Sequence, residues 1–140
     1  MKKKLNCTLL VDDDVVSNFV SEKIIQNANI TNELKVATNG HMAFKYIEKC
    51  AASNKPCPDL IFLDVNMPVM DAFDFLYLYG RMDKKNRGAV VILTSSDNPN
   101  DIEHLSQFDI MAYINKPLTK EKIDALIEKN FNQSDDDPKV

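Results

Sequence analysis

The sequence predicts an α/β fold, a doubly wound parallel sheet, on three observations. Four short apolar runs (Leu9-Leu10-Val11, Leu60-Ile61-Phe62-Leu63, Ala89 to Leu93, Met111 to Ile114) have the length and composition of strands buried on both faces. Between them, apolar residues recur with a helical period instead of alternating. Polar residues of the kind that do chemistry stand at or just beyond the ends of these runs: Asp12-Asp13-Asp14, Asp64, Thr94 and Lys116.

Taken in order, the first run ends at Asp12, and Val16, Phe19, Val20 and Ile24 then fall at i, i+3, i+4 and i+8, an apolar stripe of the sort a helix lays on a core. One of the three aspartates should cap that helix, and Asp14 is assigned this duty. A weaker strand is expected over Glu33 to Ala37, and Ala43, Ile47, Cys50 and Ala51 mark a second helix. Asp71 is placed as the cap of a third. Asn98-Pro99 reads as a cap followed by proline at the first helical position. Thr119 caps the last helix, whose apolar face is Ile123, Leu126, Ile127 and Phe131. The alternation is β-α repeated five times, the pattern of a doubly wound sheet. Residues 1–131 are expected to form one domain. From Asn132 to Val140 the chain is polar, includes Asp135-Asp136-Asp137, and is expected to be a disordered tail.

A chain of 140 residues, 44% of them hydrophobic, has the size and composition of one globular domain with a core. Its net charge of -4 argues against nucleic-acid binding, which needs a basic face. Cys7, Cys50 and Cys57 leave one thiol over in any pairing and lack zinc-knuckle spacing, so they are read as reduced cysteines, mostly buried. No run is long enough to span a bilayer, and Leu5 to Val11 is too short for a signal-peptide core. The expected location is cytoplasmic. With three glycines (Gly40, Gly80, Gly88) there is no Gly-rich phosphate-cradling loop, which speaks against a nucleotide site.

In a sheet of this kind, ligands bind at the carboxyl ends of the strands. The topology therefore brings Asp12-Asp13-Asp14, Asp64, Thr94 and Lys116 to one edge, although they lie far apart in sequence. Carboxylates crowded together repel, so they either take up protons or hold a cation. With oxygen donors only, a hard ion such as Mg²⁺ is favoured over zinc. A lysine and a threonine hydroxyl beside it can hold phosphoryl oxygens. Such a set suits in-line phosphoryl transfer onto a carboxylate.

The motifs also resemble a known family, the receiver domain of response regulators in two-component systems, in its single-domain, chemotaxis-type form. Leu9-Leu10-Val11-Asp12-Asp13-Asp14 resembles the family's acidic motif, and Leu63-Asp64-Val65-Asn66-Met67-Pro68 its phosphoacceptor motif. Ile92-Leu93-Thr94-Ser95 and Asn115-Lys116-Pro117 resemble its hydroxyl and Lys-Pro motifs, and the likeness runs from about Leu5 to Phe131. It implies a five-stranded flavodoxin-like sheet of order 2-1-3-4-5. It also implies that Asp64 is the phosphoacceptor, Asp13 a direct and Asp12 a mainly water-mediated ligand of Mg²⁺, and that Asn66 offers its backbone carbonyl to the ion. Thr94 and Lys116 would contact phosphoryl oxygens, Tyr113 would be the switch aromatic, and Lys116-Pro117 a cis peptide. The phosphoryl donor would be a sensor histidine kinase or a histidine phosphotransfer protein, and the output would pass to a downstream protein target. The chain departs from the family at Met70-Asp71-Ala72, where many receivers have Met-Asp-Gly, and at Met111-Ala112, often Gly-Ala.

Plainer readings compete. Thr94 alone is an ordinary strand-end residue, Lys116 alone a surface lysine, and Tyr113 a core tyrosine with a wet hydroxyl. His41 and His104 are assigned no chemistry, and Met67, Met70 and Met82 are read as packing. Asp64 has no such excuse, because a carboxylate ending a buried strand is costly without a partner. One rival function is a haloacid-dehalogenase-type phosphatase, with Asp12 as nucleophile and Asp14 as acid-base in Asp12-x-Asp14-x-Val16. It leaves the Asp64 motif unexplained, and the chain is short for that fold plus a cap. A pseudo-receiver, an interaction module without phosphorylation, is the other rival; it usually lacks one of the groups that are all present here. The expectation is therefore a signalling phosphoacceptor with weak self-phosphorylation and self-dephosphorylation, not an enzyme. No output domain is expected after Phe131, so the output is expected to be protein-protein contact or onward phosphotransfer.

Overall fold

The computed structural model describes residues 4–53, 55, 57–65, 72–94 and 103–132. Five strands are present: β1 Leu5–Val11, β2 Thr31–Ala37, β3 Leu60–Asp64, β4 Ala89–Thr94 and β5 Ala112–Asn115. The helices are α1 Val15–Ala28, α2 Gly40–Ala52 and α3 Ala72–Tyr79, then a helical stretch described over 103–105 (α4), then α5 Lys120–Ile127. A short 3-10 turn, Lys84–Asn86, precedes β4, and a π-turn, Glu128–Asn132, follows α5. All strand pairs are parallel and the order is β2-β1-β3-β4-β5, as the family resemblance implied.

The continuous apolar runs make sense once both faces of the sheet are covered. Leu9, Val11, Ile61, Leu63, Val90 and Ile92 face one layer with Ala43 and Ile47 of α2, Phe75 and Leu76 of α3, and Leu105 of α4. Their neighbours Leu10, Leu60, Phe62, Val91 and Leu93 face the other, against Ile25 of α1 and Ile123, Leu126 and Ile127 of α5. Because side chains alternate along a strand, each central strand feeds both layers.

Local chemistry sets the helix ends. Asp14 caps α1, its Oδ1 accepting from the Val16 and Ser17 amides at 3.0 and 3.4 Å. Thr119 caps α5 by accepting from the Lys122 amide at 3.2 Å. Asn39 does the same for α2, from the Met42 amide at 2.8 Å. Asn29 closes α1 in the left-handed region at φ 57°, which asparagine tolerates better than most residues. The caps placed at Asp71 and at Asn98-Pro99, the packing read for Met67 and Met70, and the tail from residue 133 lie outside the described residues. Met82 does pack against the core, and Lys116-Pro117 is cis.

One expectation fails. Val16, Phe19 and Val20 do not face the sheet: they are 70%, 61% and 48% exposed. Of that stripe, Ile24 is half-buried and packs on the core. The buried side of α1 is Asn18, Ser21, Ile25 and Ala28. The phase of the helix is set by its polar anchoring, since Asn18 Nδ2 donates to the Asp12 carbonyl at 2.7 Å and holds that side inward. The strand forecast over Met111 to Ile114 begins one residue later, and the second strand begins earlier, at Thr31.

The cysteines are free: Cys7 and Cys50 are buried and Cys57 is half-buried. Burial pushes the thiols of Cys7 and Cys57 up. No helix among the described residues is long and apolar enough to cross a membrane.

Tyr79 ties α3 to the entry of β4, its hydroxyl accepting from the Gly88 amide at 2.6 Å. Burial, partly offset by that hydrogen bond, pushes the phenol up to about 12. An unfolded tyrosine titrates near pH ~10, so above that the unfolded chain gives up this proton while the folded one keeps it. The contribution is intact below about 10 and fades as pH rises toward about 12, by roughly 2 kcal/mol. Urea unfolding at pH about 9 and about 11 should show a steeper alkaline loss for the wild type than for Tyr79→Phe.

Candidate functional site

β1 and β3 lie side by side at the centre of the sheet, so the residues that end them are neighbours. Asp12 follows β1 directly and Asp64 is the last residue of β3. Both are buried, with relative exposures of 0% and 3%, whereas Asp13 is exposed. One carboxylate oxygen from each of Asp12, Asp13 and Asp64 lies within 4.8 Å of the other two. Three carboxylates so close are unfavourable as a bare set, and positive charge has to be supplied.

Part of it comes from Lys116, just beyond β5. Its Nζ lies 3.0 Å from Asp12 Oδ2 and 3.4 Å from Asp64 Oδ2, joining the two buried acids. The position follows from the sheet: Thr94 and Asn115 are register partners on β4 and β5, and the Lys116 amide donates to the Thr94 carbonyl at 2.8 Å. Burial pulls the ammonium pKa down, but the hydrogen bond and charge of Asp12 and the charge of Asp64 outweigh it and hold Lys116 above the ordinary lysine value.

Asp12 is held on both carboxylate oxygens. Its Oδ1 accepts from the Asp14 amide at 3.0 Å, and its Oδ2 from Ser17 Oγ at 2.8 Å as well as from Lys116. Burial pushes its carboxyl up. The Asp14 amide, the Ser17 hydroxyl and Lys116 more than reverse this, so the group sits below the usual value and is held ionised.

The structure therefore brings together Asp12, Asp13, Asp64 and Lys116, with Thr94, 5% exposed, ending the strand beside Asp64. Tyr113 pairs in register with Ile92 and is 41% exposed; burial of the rest of the ring raises its phenol. Asn66 lies outside the described residues, as do Pro68 and Ser95. Sequence reasoning passed over Ser17 and Asn18, which hold Asp12 by its carboxylate and its carbonyl. The available signal was two short polar residues in the first turns of a helix that starts directly after an acidic strand end.

The comparisons agree with this arrangement. Residues 8–128 match the family model described as the response regulator receiver domain. The chain is 28% identical to response regulator Rcp1 of Synechocystis over 77% of this chain and 74% of that protein. The crystal structure of a two-component response regulator from Cytophaga hutchinsonii superposes with a TM-score of 0.81 at 29% identity, covering 93% of this chain and 99% of that one. The Mn²⁺-bound form of Rcp1 superposes with a TM-score of 0.71 at 25% identity, covering 90% and 94%. With the parallel five-stranded order, the buried acids at the strand ends and a match over most of its length, the chain belongs to the response regulator receiver domain family, a signalling family of two-component systems.

Proposed function

We propose that Asp64 accepts a phosphoryl group from a phosphohistidine on a sensor histidine kinase or histidine phosphotransfer protein, with Mg²⁺, and that the product signals through contacts with a downstream protein. The observation that carries this reading is the convergence of two buried carboxylates, a third exposed one and one lysine at the carboxyl ends of the central strands. The donor set fits a hard divalent ion, being all oxygen with three carboxylates in reach of one point. Asp12, Asp13 and Asp64 would hold it, together with the carbonyl expected from Asn66. A bound Mg²⁺ supplies positive charge against the phosphoryl oxygens. Rcp1, solved with Mn²⁺ bound, is a relative in which the fold takes such an ion.

The protein's own groups then do the following. An Asp64 carboxylate oxygen attacks phosphorus as the bond from phosphorus to the donor's imidazole nitrogen breaks, and that nitrogen keeps the electron pair. In this reading Lys116, 3.4 Å from the Asp64 carboxylate, pairs with a phosphoryl oxygen, and the hydroxyl of Thr94 at the end of β4 donates to another. Ser17 and the Asp14 amide keep Asp12 ionised and oriented throughout. Tyr113, two-fifths exposed on edge strand β5, follows Thr94 inward and reshapes that surface for the next protein. Attack of water on phosphorus restores Asp64.

Intact-mass spectrometry after incubation with acetyl phosphate tests this. A single phosphoryl adduct is expected that requires Mg²⁺ and is abolished in Asp64→Asn. An adduct that survives in Asp64→Asn and disappears in Asp12→Asn would move the nucleophile to Asp12 and overturn the assignment.

A further inference from the structure

The amino ends of the strands, opposite the acidic cluster, carry a second concavity. A cavity of about 430 Å³ opens between the end of α3, the 3-10 turn, the start of β4 and the segment leading into β5. That volume lies within the range of small-molecule sites. Val90 lines it, and Thr94 at the acidic end is four residues further along the same strand, roughly 13 Å at strand rise. The two sites are separate.

The walls are of two kinds. Leu76, Val90 and Phe108 give apolar surface, while Lys84 and Arg87 bring two positive charges against the single carboxylate of Asp109. Among the described residues neither cation has an ion-pair partner. Arg87 Nε is buried with no hydrogen-bond partner, and Nη1 reaches the Gly80 carbonyl at 3.5 Å, too long for a strong bond. A buried donor without an acceptor is disfavoured, and the guanidinium fork matches a planar oxyanion through two parallel hydrogen bonds.

We propose that this cavity binds a small carboxylate carried on an apolar body. Arg87 grips the carboxylate with its guanidinium, Lys84 adds charge, and Leu76, Val90 and Phe108 cover the ring or hydrocarbon. The inference is independent of phosphoryl transfer, since it uses no residue of the acidic end.

Benzoate is the probe, titrated into the ¹⁵N-labelled full chain by NMR, with benzamide and inorganic phosphate as comparisons. Saturable shifts are expected at the amides of Gly80, Gly88 and Gln107. Affinity should fall roughly tenfold in Arg87→Gln, the size of effect expected for a lost charge-assisted pair, and by a smaller factor in Lys84→Gln. Benzamide and inorganic phosphate should each bind more weakly, one lacking the charge and the other the apolar body. The proposal is overturned by the absence of saturation, by shifts confined to the Asp12 and Asp64 end, or by benzamide or phosphate binding as well as benzoate. Should Arg87→Gln fail to fold, Lys84→Gln at an exposed residue decides, because unchanged benzoate affinity there also overturns it.

Discussion

Replacing Lys116 with methionine is expected to lower the stability of the metal-free protein by about 3 kcal/mol near neutral pH. The ammonium joins Asp12 and Asp64, whose side chains are 0% and 4% exposed. Methionine keeps most of the aliphatic volume, so the loss reports charge rather than a cavity. Asp12 retains the Ser17 hydroxyl and the Asp14 amide, but neither brings a formal positive charge. Without the lysine both carboxyls are protonated more readily, so the gap between variant and wild type should narrow as pH falls toward the carboxylate range. Adding Mg²⁺ should narrow it at neutral pH by a different route, since an ion binding the folded variant stabilises it by mass action. Urea unfolding with and without Mg²⁺ measures both. A variant as stable as wild type in metal-free buffer would show that the bridge contributes little to holding these acids together.

Gly88→Ala is expected to cost about 3 kcal/mol, at the upper end of ordinary overpacking. A Cβ there would run into the Pro58 carbonyl oxygen and come within 2.6 Å of the Asp59 carbonyl carbon and oxygen. These are backbone atoms at the entry to β3, and they cannot rotate away as a flexible side chain would. The nearby Ala89 amide donates to the Asp59 carbonyl at 2.9 Å, so moving the chain apart disturbs the start of the β3–β4 pairing. It also disturbs the Tyr79 hydrogen bond to the Gly88 amide. Chemical denaturation should show a lower midpoint with little change in slope. A loss under ~1 kcal/mol would mean that this strand entry is loose enough to accept a methyl group.

The family's single-chain signals were legible because each is local. Apolar runs of three to five residues such as Leu60-Ile61-Phe62-Leu63 read as two-sided strands, since a parallel sheet buries both faces of its central strands. A charged residue ending such a run stands out because burial would otherwise penalise it, and this is how Asp12 and Asp64 were found. Asp14 and Thr119 as caps were legible for the same reason, as a cap acts within three residues of itself.

The phase of α1 was not legible. Val16, Phe19, Val20 and Ile24 form a helical stripe by spacing, yet the polar Asn18 and Ser21 hold the buried side because Asn18 bonds the Asp12 carbonyl. A helix turned by a fixed polar contact can leave its apolar stripe outside, and periodicity alone does not see that contact.

By itself, the sequence determined the strand order's ingredients, the acidic strand ends and the residue types around Asp64, because those depend on composition and near-neighbour spacing. Tertiary structure alone decided that Lys116, 104 positions from Asp12, bridges it to Asp64, and that Ser17 holds Asp12. It alone placed Gly88 against the backbone of Pro58 and Asp59, and left Arg87 Nε buried without a hydrogen-bond partner in a residue that lines the same cavity as Phe108 and Leu76. Each of these is a meeting of groups brought together by strand register and helix packing, and an ångström-scale distance between remote residues exists only once the sheet has assembled.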